Sequence, residues 1–84
     1  GHVEGTAELL REAIEATDTR ITERFDTEKI RKTLPSDFPS SYRAKLLFDL
    51  RQGLVFRARA GFSEDELRSD IDKNVAAVLT QVGV

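Results

Sequence analysis

Five carboxylates, Glu64, Asp65, Glu66, Asp70 and Asp72, fall within ten residues of the 84-residue chain. Paired carboxylates in a pocket can do general acid–base work, and clustered ones can hold a divalent cation. Their local pattern points elsewhere. Ser63 followed three residues later by Glu66 is a capping box, and the first three acids lie where a helix dipole favours negative charge. The set therefore reads as a dipole complement and a solvated face. Asp70-x-Asp72 does not open a calcium loop, because the Gly at its sixth position and the distal Glu that such a loop needs do not follow.

The other chemistries fail on residue types. There is no Cys, which removes disulfides, thiolate nucleophiles and sulfur-ligated zinc. The single His is His2. Gly1-His2, in a chain without Met, reads as a scar left by cleavage, and residues 3–84 as one helical domain excised from a larger protein. No Ser sits in a Gly-x-Ser-x-Gly elbow, and Gly53 and Gly61 are isolated rather than part of a phosphate-binding loop. An acyl carrier function would need Asp-Ser-Leu at a helix start, and none of the serines has that context. The expectation is a protein that is not an enzyme and that uses no cofactor and no metal.

Charge distribution is more informative than charge total. The formal net charge is −2, but residues 35–62 carry two acids against five bases, and residues 63–84 five acids against two. A basic central segment is thus followed by an acidic last one. Either the two neutralise each other within the chain, worth about 0–1 kcal/mol per exposed pair, or they form oppositely charged faces that dock between copies or onto a partner. Arginine forks onto carboxylates and is enriched at interfaces. The residues singled out for partner binding are Arg51, Arg57 and Arg59 on one side and Glu64, Asp65 and Asp70 on the other.

Periodicity supplies the elements that carry them. Ala7, Leu10, Ile14, Ile21 and Phe25 recur at helical spacing, so a helix is predicted over 6–24, capped by Thr6, with a weak point at Thr17-Asp18-Thr19. Asp26 reads as a second cap opening a short helix over 27–33, ended by Leu34-Pro35. Residues 35–40 hold both prolines and form the clearest loop, with Phe38 turned back onto the core. Ser40 or Ser41 caps a helix over 41–60 with apolar residues on more than one face, the mark of a covered central helix. Gly53 inside it suggests close approach of a neighbour, and a strand over 54–62 is the competing reading. Gly61 terminates that helix in the left-handed conformation. Leu67, Ile71, Val75, Val78, Leu79 and Val82 define a last helix over 64–82, closed by Gly83.

The predicted architecture is all-α, a compact four-helix bundle with its second helix short. No apolar run approaches the ~20 residues of a membrane span, and these 84 residues include no secretory h-region or basic targeting stretch. The expected function is a non-catalytic protein–protein interaction module of a larger intracellular, cytoplasmic protein, acting in self-association or recruitment, with a homo-oligomer as one form. The alternatives are a small nucleic-acid-binding domain centred on Arg43, Lys45, Arg51, Arg57 and Arg59, or an accessory domain of an enzyme. Charge argues against the first of these, because a helix starting at Glu64 would be repelled by phosphate.

Overall fold

The computed structural model describes the backbone of residues 2–80 and the side chains of residues 5–80. It contains three α-helices, α1 (His2–Ile30), α2 (Ser40–Arg59) and α3 (Glu64–Leu79), and no strand among the described residues. The all-α class holds; the four-helix count does not. The chain divides into two compact units, Gly1–Ala44 and Lys45–Val84.

The two helices predicted over 6–24 and 27–33 are one. The residues expected to interrupt them are accommodated inside the helix. Thr17, Thr22 and Thr27 each donate their hydroxyl to the carbonyl four residues back, on Ala13, Asp18 and Glu23, at 3.0, 2.8 and 2.9 Å. A hydroxyl satisfied in this way no longer competes with the helical backbone. Asp26 does not cap; its carboxylate lies 3.6 Å from the Lys29 ammonium, one turn on. Thr6 likewise stands within α1, not at its start.

What ends α1 is a Schellman motif rather than the proline. Lys32 adopts φ +65°, and the Thr33 and Lys32 amides donate to the carbonyls of Glu28 and Lys29 at 3.0 and 3.1 Å. Residues 31–39 then connect to α2 through a turn in which the Phe38 amide donates to Pro35 O. As predicted, Phe38 is turned inward. It is 1% exposed, meets Phe25 edge-to-face at 5.3 Å, and is covered by the Arg43 guanidinium at 5.4 Å. Lys29 Nζ donates to its carbonyl at 3.0 Å. Phe25, Phe38 and Ala44 are the buried apolar residues of this unit. Of the predicted α1 stripe, Ile14 and Ile21 are half-buried, whereas Ala7 and Leu10 are exposed, so packing reaches only the later part of the helix.

α2 starts one residue early. The Pro39 carbonyl accepts the Arg43 amide and takes the cap position, while the Ser40 hydroxyl is buried without a hydrogen-bond partner; neither Ser40 nor Ser41 is the cap. Residues 54–59 continue the helix, which disposes of the strand reading. The expectation of a covered central helix fails over its second half, where Val55 and Phe56 are 44% and 75% exposed. Gly53 does not mark a close approach either, since a Cβ built there would meet nothing within 4 Å.

The turn into α3 follows the prediction closely. Gly61 has φ +90°, the Phe62 and Gly61 amides donate to Arg57 and Ala58 carbonyls at 3.1 Å, and the Arg57 guanidinium covers the Phe62 ring at 5.2 Å. Both halves of the capping box form: Glu66 N–H donates to Ser63 Oγ and Ser63 N–H to Glu66 Oε2. α3 ends at Leu79 with Thr80 as its C-cap, short of the predicted residue 82. Val82 and Gly83, like the His2 side chain, lie outside the described residues.

Candidate interaction surface

The second unit places the basic end of α2 and the acidic start of α3 on either side of the Gly61 turn. Arg57 and Arg59 fall in the last turn of α2, and Glu64, Asp65 and Glu66 in the first turn of α3, so each group complements its own helix dipole. Arg51 and Asp70 lie deeper in their helices and have no such local role. Arg51, Arg57, Arg59, Glu64 and Asp65 are exposed, and Asp70 is half-buried.

None of these six makes an ion pair with a described residue. Every ion pair between described residues lies between positions 11 and 31, in α1 and the turn that ends it: Arg11–Glu15 at 2.7 Å, Arg24–Glu28 at 3.5 Å, and Lys29–Asp26 and Arg31–Glu28 at 3.6 Å. There the pairing registers on the groups themselves. The Thr33 hydroxyl, donating to Glu28, is the main influence holding that carboxyl below the usual carboxylate range; partial burial opposes it, and Arg24 and Arg31 reinforce it. The Glu15 carboxylate holds the Arg11 proton more firmly than usual through their hydrogen bond and mutual charge.

Arg57 and Asp70 were expected on separate faces, yet they line one open cleft of about 500 Å³ between α2 and α3. Its other polar groups are Asp49 and Asn74; Leu50, Leu54 and the bare backbone of Gly53 complete the lining. A volume near this size suits a small ligand or one inserted side chain. Asp70 also borders a second cleft of about 480 Å³, with Phe62, Asp65, Glu66 and Ser69. Phe62 is 41% exposed there, despite the arginine over its ring.

Sequence reading missed Asp49, Gly53 and Asn74. A signal was present: Asp49, Gly53 and Arg57 follow one another at intervals of four, a single helical face carrying both charges around a glycine. Among the alternative basic residues, Arg43 is half-buried on the Phe38 ring in the first unit, apart from the exposed Lys45, Arg51, Arg57 and Arg59. Among the described residues no group of three His, Cys, Asp or Glu side chains could hold a metal ion, and no helix is long and apolar enough to cross a membrane. No protein-family model, curated protein or solved structure matches the chain.

Proposed function

We propose that the chain is a non-catalytic protein–protein interaction module, acting in self-association or recruitment through the oppositely charged groups of α2 and α3. The observation that carries this reading is the absence of intramolecular pairing where it was most available. Arg57 and Asp70 share a cleft, and Arg59 and Glu64 flank one short turn, without an ion pair between described residues. Charged groups left open beside exposed apolar side chains such as Phe56 and Phe62 have the composition of an interface whose partner supplies the countercharge.

The test is binding to simple charged probes. Fluorescence anisotropy with labelled arginine-rich and glutamate-rich peptides, together with light scattering of the chain alone, should show at least one salt-sensitive association. A monomer that binds neither peptide at low salt contradicts the reading. A labelled DNA duplex in the same series addresses the nucleic-acid alternative, for which tight duplex binding with indifference to both peptides is the required result.

A further inference from the structure

α2 presents two different surfaces. Asp49, Gly53 and Arg57 advance by four along the side that borders the cleft. Arg51, Val55 and Arg59 advance by four as well, each two residues later and therefore about 200° further round the helix. All three are exposed, and neither arginine has an ion pair with a described residue. One helix thus shows a basic stripe on one side and, on the other, borders the larger cleft, which shares Asp70 with the second cleft along α3.

We propose that the Arg51–Val55–Arg59 face of one copy docks into the clefts around Asp70 of a second copy, head to tail. The inference rests on the interaction-module reading and adds the partner and the site.

Charge complementarity carries the choice of a second copy. Across the two clefts that share Asp70, the carboxylates of Asp49, Asp65, Glu66 and Asp70 face one guanidinium, Arg57, which lies over the Phe62 ring. Arginines on the incoming helix meet carboxylates with unused acceptor positions and can fork onto them. The lengths agree as well. Arg51 and Arg59 are about 12 Å apart along their helix axis, and the acceptor side spans about 14 Å of α3, from Asp65 to Asn74. Gly53 fits the same scheme. A glycine inside a helix is unfavourable, and no neighbouring atom requires it here. Its missing side chain leaves the cleft wall at the level of the backbone, where the aliphatic stem of an arginine can lie against Leu50 and Leu54. Because donor and acceptor faces differ, the contact is heterologous and builds rings or open chains rather than a closed pair.

Sedimentation velocity over a hundredfold concentration range tests this. The wild-type chain should grow in mean mass with concentration and revert to monomer in high salt. Gly53→Leu, which fills the acceptor, and Arg51→Ala/Arg59→Ala, which disarms the donor, should each weaken association at least about tenfold with helix content unchanged by circular dichroism. Mixed one to one, these two variants keep one working interface between them and should give a heterodimer and nothing larger. Asp70→Asn serves as a second acceptor variant if Gly53→Leu does not fold. Wild-type oligomers that survive both variants overturn the proposal, as does a wild type that is monomeric throughout. If that monomer binds an arginine-rich peptide and Gly53→Leu does not, the interaction-module reading stands and only the second copy is wrong; if it binds neither charged peptide, both fail.

Discussion

The two units of the chain handle the same kinds of residue in opposite ways. In the first, acids and bases are paired along α1, and the loop after it is fixed by a buried Phe38 held between Phe25 and Arg43. In the second, arginines and carboxylates face solvent and clefts with no ion pair between described residues, and Phe56 and Phe62 are exposed. Both units contain an arginine over a phenylalanine ring, at 5.4 and 5.2 Å. In the first that ring is buried, whereas in the second it remains 41% exposed. The lesson is that similar local contacts serve a core in one place and leave a surface open in the other.

The largest expected effect separates the two aromatic sites. Phe38→Ala should cost about 3–5 kcal/mol, since it empties a fully buried position, whereas Phe56→Ala should stay within about 0.5 kcal/mol. Denaturant unfolding followed by circular dichroism measures both. A loss above about 2 kcal/mol for Phe56→Ala would mean that its ring is buried after all and that the contrast between the units is false.

The two helix ends sharpen the comparison at smaller scale. α1 and α2 close with the same Schellman hydrogen bonds, but the left-handed position holds Lys32 in one and Gly61 in the other. Lys32→Gly should therefore stabilise the chain by about 1 kcal/mol and Gly61→Ala destabilise it by about 1–2 kcal/mol. Gly53→Ala, in ordinary helical backbone with free space around it, should stabilise by up to about 1 kcal/mol. Thermal unfolding of the three variants side by side checks the signs, and a destabilised Gly53→Ala would restore the close-approach explanation. Ser63→Ala removes half of the capping box and should cost about 1 kcal/mol.

The smallest effect is one of pH. The Glu28 carboxyl is held below its usual range mainly by the Thr33 hydroxyl. Its stabilising contribution is complete above the unfolded value of about 4.3 and disappears as pH falls through the lower folded value. Thr33→Val should therefore remove part of the stability lost in that acid window and leave the neutral-to-basic limb of the pH–stability curve unchanged in slope. A loss of the same size at every pH down to full protonation would assign the effect to packing.

Residue patterns revealed the fold where a local rule acted alone. The capping box at Ser63–Glu66, the left-handed Gly61 and the inward Phe38 were all legible, because each depends on a few adjacent residues or one loop. The break near Asp26 was misread because an aspartate that could cap a new helix can equally pair along an existing one, as Asp26 does with Lys29; the weak point at Thr17-Asp18-Thr19 held because the Thr17 hydroxyl bonds back to its own helix. Gly53 was misread because a mid-helix glycine has the same sequence signature whether a neighbour is close or absent. Of the candidate site, the identity of the charged residues was legible and their grouping was not: Arg57 and Asp70 share a cleft only because the Gly61 turn brings α3 back beside α2, a relation that periodicity within each helix does not contain.

A double-mutant cycle on Arg57 and Asp70, measured as folding stability at a dilution where the chain is monomeric, addresses directly whether the opposite charges of the second unit neutralise each other. Arg57→Ala, Asp70→Ala and the double variant should be additive within about 0.3 kcal/mol. A favourable coupling of about 1 kcal/mol or more would show that the two groups pair within one molecule, closing the shared cleft's central carboxylate to a partner.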